Sequence, residues 1–347
     1  MEQTAGSAPP AAALHFPGPA VSPEEIFWAW REQMSVLWDV AVANRQAVES
    51  FQATLSAHHM GTMLIGRATA SAQQFRRSST TIARSAVDHY LVQLYETGGY
   101  GGVAGQREIE VRAGDICVVD LAQPVHTSAS AFSNVNLLVP RAVLAPLLRD
   151  PDGLHGAVLS GQSALGRVLS HHLQCLTAEA PNMTGTESVA VAEGTAAMIA
   201  RSVGPVADMQ AAAGGARHLQ ILRIRRYIEE HLAAEELTPE HIADVFGLSR
   251  STLYRLFEPL GGVTDYIRDR RLLRCFMEIM SSAQRHRRIA DIAYDWGFSS
   301  ESAFSRAFRR RFGMSPRDTR AVASSQSASW GTNAGTARLE AWIRSLG

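Results

Sequence analysis

Two arginines, Arg255 and Arg306, occupy the same slot of a stretch that occurs twice in this 347-residue chain. The first copy runs Ile242-Ala243-Asp244-Val245-Phe246-Gly247-Leu248-Ser249 and on through Leu253, Arg255 and Phe257. The second runs Ile292-Ala293-Tyr294-Asp295-Trp296-Gly297-Phe298-Ser299 and on through Phe304, Arg306 and Phe308. Each is a short apolar helix, a Gly-hydrophobe-Ser turn and a second helix, the pattern of a helix-turn-helix whose second helix enters a DNA major groove. An arginine on that helix offers guanine O6 and N7 a bidentate fork, worth about 1–3 kcal/mol of base discrimination. Beside the two arginines the outward faces carry Arg250, Ser251 and Tyr254 in the first copy, and Ser300, Glu301, Ser302 and Ser305 in the second. The runs Arg309-Arg310-Arg311 and Arg285-His286-Arg287-Arg288 suit phosphate contacts.

The elements that hold these residues can be read locally. Thr238 is an N-cap and Pro239 a first helical residue, with Ile242, Ala243 and Val245 inward. Gly247 supplies the positive φ of the turn, Leu248 plugs the core, and Ser249 caps the second helix, whose buried stripe is Leu253, Leu256 and Phe257. In the second copy Ile289, Ile292, Ala293 and Trp296 are inward, Phe298 plugs, Ser299 caps, and Ala303, Phe304, Ala307 and Phe308 form the core face. A connecting helix from about Thr264 to Ser281 spans roughly 27 Å at ~1.5 Å per residue. That is near the ~34 Å between successive major grooves on one face of B-DNA.

Charge is partitioned in keeping with this. The net charge is zero, which argues against a uniformly basic binder, but residues 217–320 hold 19 Arg against 14 acidic residues while residues 1–216 hold 12 Arg against 18. The length predicts two domains, and 46% hydrophobic residues suffice to fill their cores. Cys117, Cys175 and Cys275 lie far apart and read as buried free thiols in a reducing compartment. There is no signal peptide pattern and no apolar run near the ~18–20 residues of a membrane span, so the expected address is the cytoplasm, with no membrane partner.

The double motif resembles the AraC/XylS-type transcription regulators. Ile289-Ala290-Asp291-Ile292-Ala293, Trp296-Gly297-Phe298-Ser299-Ser300-Glu301-Ser302, Phe304-Ser305-Arg306-Ala307-Phe308 and Phe312-Gly313-Met314-Ser315-Pro316 carry the resemblance, and Ile242 through Phe257 match more loosely. It covers about 217–320, and the chain departs from it at Glu258-Pro259. The resemblance implies that Arg255 and Arg306 are the principal readers of their helices. It also implies an α+β two-domain fold, with an N-terminal cupin-like β-barrel or sandwich with flanking helices and a C-terminal all-α domain.

The N-terminal half fits that division. Residues 1–22 are Ala/Pro-rich and read as a disordered tail, followed by a capped helix from Ser22-Pro23 with Ile26, Phe27, Trp30, Met34, Leu37 and Trp38 at helical spacing. From about Met63 to Val139 short strands alternate with turns: Tyr90 to Tyr95, the turn cluster Gly98 to Gly102, the turn Arg112-Ala113-Gly114-Asp115 feeding Ile116 to Val119, and Val135 to Val139. Helices are expected over 162–178 and 187–203, which completes a sensing and dimerisation domain over 23–205. Residues 206–216 read as a linker, 217–320 as the DNA-binding domain, and 321–347 as a tail with Leu339, Trp342, Ile343 and Leu346 on one face of a short helix.

A cupin-like barrel raises the question of an enzyme. His89 and His126 are not in His-x-His spacing, the pairs His58-His59 and His171-His172 point apart, and no nucleophile elbow, phosphate loop or carboxylate pair occurs. No catalytic residue, metal ligand or cofactor is expected. The barrel's expected role is a pocket for a small-molecule effector. Tyr90, Val92, Cys117 and His126 are the strand-region residues taken to line it. The sequence thus points to a DNA-binding transcription regulator, an activator by type. Its expected partners are double-stranded DNA, a small effector, RNA polymerase and a second copy of itself. A cupin-type metal-dependent enzyme and a non-specific architectural DNA binder are the alternatives.

Overall fold

A computed structural model of the chain describes residues 13–16, 22–85, 87–105, 107–212, 216–280, 286–312, 315–325, 339–343 and 346. Its strands are β1 (Ala13–Phe16), β2 (Asp39–Ala41), β3 (Ala53–His59), β4 (Leu64–Ala70), β5 (Gln73–Arg77), β6 (Tyr90–Thr97), β7 (Tyr100–Ala104), β8 (Arg107–Val111), β9 (Ile116–Asp120), β10 (Val125–Ala129), β11 (Phe132–Val139) and β12 (Ala157–Leu159). Its helices are α1 (Pro23–Met34), α2 (Arg45–Glu49), α3 (Ser79–Ser85), α4 (Arg141–Leu144), α5 (Ala164–Glu179), α6 (Gly185–Ala212), α7 (Ala216–Glu230), α8 (Pro239–Val245), α9 (Arg250–Phe257), α10 (Val263–Met280), α11 (Ile289–Asp295), α12 (Glu301–Phe312) and α13 (Pro316–Ser325). The chain divides into two units. The first comprises Met1–Thr81, Val87–Asp208 and Gly331–Gly347, the second Ile82–Ala86 and Met209–Trp330.

Unit 1 is an antiparallel sandwich. A seven-stranded sheet runs β1-β3-β4-β11-β6-β9-β12 and a five-stranded sheet runs β2-β5-β10-β7-β8. Alternate side chains of β6 and β11 serve different cores. Leu91, Tyr95, Phe132 and Leu138 face the space between the sheets, together with Phe27, Trp30 and Met34 of α1. Tyr90, Val92, Leu94, Val135, Leu137 and Val139 face the other way, beneath Leu169, Leu173 and Leu176 of α5 and Ala192, Ala196 and Ile199 of α6. These strands are covered on both faces, which is why they read as nearly continuous apolar runs. At the expected turn, Gly114 has φ 91°. Its N–H donates to the Tyr95 carbonyl at 2.7 Å, and the Arg112 N–H donates to Asp115 Oδ2 at 3.0 Å.

A buried polar hub closes one edge of unit 1. Arg141 is ion-paired with Asp120, lies 3.4 Å from Asp88 Oδ2 and stacks over the Tyr90 ring at 4.7 Å. Its Nη1 donates to the Tyr90 hydroxyl at 2.8 Å. Burial alone would weaken the charge, but the surrounding carboxylates, Asp120 foremost, hold its pKa above the ordinary arginine value.

Several sequence expectations are corrected here. The tail to residue 22 contains β1, whose Ala13–Phe16 pair with His58 to Leu55 of β3, because Leu14 finds a place in the core. Gly98 to Gly102 is not one turn. Tyr100 already belongs to β7, and Gly102 lies within that strand as glycine because a Cβ there would lie 2.2 Å from the His126 carbonyl oxygen. The linker assigned to 206–216 is helical through Ala212, with Pro205 inside α6. Residues 321–325 continue α13 rather than opening a tail. Cys175 is exposed, whereas Cys117 and Cys275 are buried free thiols. The short helix over 339–343 docks in unit 1, where Leu339, Ile343 and Leu346 join the inter-sheet core. His89 Nε2 donates to the Ile343 carbonyl at 2.9 Å.

Unit 2 has two small cores strung along α10. Ile224, Ile228, Ile242, Ala243, Leu253, Leu256 and Phe257 fill the first, closed by Val263 and Ile267. Leu272, Phe276 and Ile279 continue into the second, with Ile292, Ala293, Phe304, Phe308 and Phe312. Trp296 packs against both cores, and its indole N–H donates to Glu278 Oε1 at 2.7 Å. Val245 and Ala303, expected inward, are exposed: Val245 lies at the last residue of α8 and Ala303 in the first turn of α12, each outside the buried stripe of its helix.

Candidate functional site

Each recognition helix of unit 2 begins at a capped turn. Thr238 accepts from the His241 N–H at 3.2 Å to start α8. Gly247 and Gly297 take φ 61° and 73°, a left-handed conformation that a side chain would strain. Ser249 accepts from the Thr252 N–H at 3.2 Å, as expected. In the second unit the cap is Ser300, which accepts from the Ala303 N–H at 3.3 Å; Ser299 lies one residue before it. The second turn is therefore one residue longer, which shifts the correspondence within the pair of helices. Arg250 matches Glu301, Tyr254 matches Ser305, and Arg255 matches Arg306.

The outward residues divide by what already holds them. Arg255, Arg306, Arg309 and Arg310 are exposed on α9 and α12. Among the described residues, Arg306, Arg309 and Arg310 enter no hydrogen bond or ion pair. Arg250 is exposed but paired with Glu240 at 2.6 Å. Ser251 shares a 3.0 Å hydrogen bond with the Ser249 cap, and Ser300 is committed to capping. Tyr254 is 40% exposed, with its hydroxyl 3.5 Å from Thr264 Oγ1. Ser305 is half-buried and Glu301 exposed at the first turn of α12. Two basic runs are partly spent inside the unit: Arg311 is half-buried near Asp269 at 3.5 Å, and Arg287 holds Glu278 at 2.9 Å and also pairs with Asp295. Residue Arg285 lies outside the described residues.

Unit 1 contributes a cavity of about 100 Å³ between its sheets. The four residues expected to line it do not. Tyr90 and Val92 face the opposite core, Cys117 is buried beside the cavity without reaching it, and His126 is exposed on β10. Burial pushes the Cys117 thiol up to about 11. The lining comes instead from their neighbours Leu91, Gln93, Val119, Val125 and Thr127. For Tyr90, Val92 and His126 the error is one position on a strand, which puts a side chain on the wrong face, whereas Cys117 shares the inter-sheet face with Val119. The signal that could have found the site is polar: Gln93, Asn134 and Asn136 interrupt apolar strands at period two. Leu339 and Ile343 also line the cavity.

Among the described residues no three His, Cys, Asp or Glu side chains converge as metal ligands, and no helix is long and apolar enough to cross a membrane.

Comparison with known proteins finds a domain match in each unit. Residues 242–321 match a helix-turn-helix domain family, and residues 30–203, half of the chain, match an AraC-binding-like domain family. The chain is 27% identical over 293 residues to the transcriptional activator NphR of Rhodococcus sp, covering 83% of this chain and 86% of that protein. Over 96 residues it is 40% identical to the regulatory protein SoxS of Escherichia coli K12, 27% of this chain and 86% of that one. The crystal structure of the AraC-like transcriptional activator CuxR is similar with a TM-score of 0.52 and 28% identity, over 76% of this chain and 94% of that one. With a sensor-domain match over half its length and a helix-turn-helix match over its C-terminal units, this chain belongs to the AraC family of transcription regulators.

Proposed function

We propose that this regulator activates transcription by laying α9 and α12 into two successive major-groove segments, with Arg255 and Arg306 as the base readers. The observation that carries the reading is the shared slot of these two exposed arginines, on helices built against one continuous α10 of 18 residues. Arg309 and Arg310 lie on the last turn of α12, where a guanidinium can reach a phosphate. Arg250, Ser251, Tyr254, Ser305 and Glu301 flank the readers in secondary roles, and the cap duty of Ser300 leaves its backbone end of the helix fixed. The protein works in the cytoplasm, performs no catalysis, and contacts RNA polymerase once on DNA. A small molecule in the unit 1 cavity shifts the population of DNA-competent states.

A homodimer is part of this proposal. Leu165 and Val168 of α5 are 52% and 57% exposed and continue as a stripe through His172 and Cys175 at heptad spacing. Sedimentation equilibrium of the purified chain should give twice the chain mass, and Val168→Glu should return it to the monomer.

Selection of bound duplexes from a random library tests the whole reading. The expected result is a two-part consensus with its parts about one helical turn apart. Recovery of sequences with no consensus, retained only through a steep salt dependence, would instead mark a non-specific architectural binder.

A further inference from the structure

The cavity of unit 1 has walls of largely one chemical kind. Trp30, Trp38, Leu55, Leu64, Val119 and Leu138 are typical of them, and among the described residues none that lines it bears a formal charge. At about 100 Å³ it is of the order of apolar cavities that take up single-ring molecules. One strip is polar. Gln93 Nε2 donates to Asn136 Oδ1 at 2.9 Å, and Asn136 Nδ2 donates to Asn134 Oδ1 at 2.7 Å. Each amide has two donors and two acceptor lone pairs, so this rail leaves hydrogen-bonding capacity unused. The Tyr100 hydroxyl, also on the lining, is buried without a nitrogen or oxygen partner among the described residues.

These features select by chemistry. A charged ligand would surrender its hydration with no countercharge to meet it. A polyhydroxylated one would leave most of its hydroxyls unpaired against apolar walls. Burial raises the pKa of both Tyr95 and Tyr100, so neither phenol supplies a charge in the physiological range.

We propose that unit 1 binds an uncharged, ring-sized, mostly apolar molecule whose single hydroxyl, amide or carbonyl end rests on the Gln93–Asn136–Asn134 rail. This rests on the reading of unit 1 as a small-molecule sensor and names the class of molecule sensed. The ring lies among the tryptophan and leucine side chains, and the polar end is held by the amides and the Tyr100 hydroxyl.

Equilibrium dialysis of the purified full chain against benzyl alcohol, toluene, benzoate and glucose tests it. The alcohol should bind one per chain, with benzoate at least about tenfold weaker, given the cost of burying an unpaired charge, and glucose not measurably bound. Asn136→Leu should keep toluene binding, which shows that the variant folds, and lose the preference for the alcohol. If that variant does not fold, the ranking of the four molecules on the native chain decides alone. Benzoate or glucose binding as tightly as the alcohol overturns the inference, and so does failure of all four to bind. Duplex selection on the same preparation separates the two readings. A consensus without ligand binding leaves the regulator and removes this ligand class, whereas ligand binding without a consensus does the reverse.

Discussion

The guanidinium of Arg271, in the middle of α10, donates from Nε to the Leu232 carbonyl at 2.9 Å. The same side chain donates from Nη2 to the Ala234 carbonyl at 2.9 Å and from Nη1 to the Gly297 carbonyl at 3.4 Å. One residue thus holds the chain leaving α7 and the turn ahead of α12, and so helps set the angle between two DNA-reading units. A Cβ on Gly297 would lie 2.7 Å from that guanidinium, which gives the turn glycine a second reason beyond its positive φ. We predict that Arg271→Leu lowers unit 2 stability by about 1.5–3 kcal/mol, the range for hydrogen bonds to a charged group, read by urea titration. Duplexes with one base pair inserted between half-sites should lose less affinity with the variant than with the native chain. An unchanged spacing preference would show that α10 alone fixes the angle.

The two kinds of arginine on α12 should separate in binding assays. Arg306→Ala should cost about 1–3 kcal/mol on the selected duplex and relax specificity at one base position. Arg310→Ala should weaken selected and random duplexes alike and reduce the salt slope by about one. Equal behaviour of the two variants in a salt series would reverse the assignment of roles.

The cap of α12 gives a sharper check of register. Ser300→Ala removes the acceptor for the Ala303 N–H and should cost about 1 kcal/mol. Ser299→Ala, one residue earlier, should be close to neutral in the same thermal melts. The opposite ranking would mean that the second turn has the same length as the first.

Acid should destabilise unit 1. Burial lowers the pKa of His58, His59, His89, His155 and His172 below the ordinary histidine value. The unfolded chain takes up these protons near pH ~6.5, and the folded chain resists them until lower pH. Between those values the unfolded state binds more protons, so stability falls as pH drops through ~6.5 and is flat above it. The thermal midpoint should therefore decline from pH 8 to pH 5.5; a constant or rising midpoint would contradict this account.

The helical unit was legible in the sequence because its signals are local. Caps such as Thr238 and Ser249, turn glycines 247 and 297, and the stripe Leu253, Leu256 and Phe257 each need only a few neighbouring residues. The one-residue insertion at Ser299 was invisible because two serines in a row offer two equal caps. In unit 1 the strands around Tyr90, Ile116 and Val135 were recognisable, but their facing was not. With both faces buried, Tyr90 and Leu91 look alike in hydrophobicity, and only cross-strand pairing such as Leu91 with Val119 decides which reaches the cavity. The β1 pairing and the docking of Ile343 depend on partners about 40 and 250 residues away, which no local pattern encodes.

The return of residues 339–346 to unit 1 bears on how the protein is made. Leu339 and Ile343 form part of the cavity wall, yet they follow the whole of unit 2 in the chain. On the ribosome the sandwich emerges first and must wait, with that flank of its core uncovered, while the reader is synthesised, roughly six to twenty-five seconds at ~5–20 residues per second. Nascent chains cut before residue 339 should then present an incomplete cavity to chaperones, and the sensor becomes competent only after the module it governs has been translated.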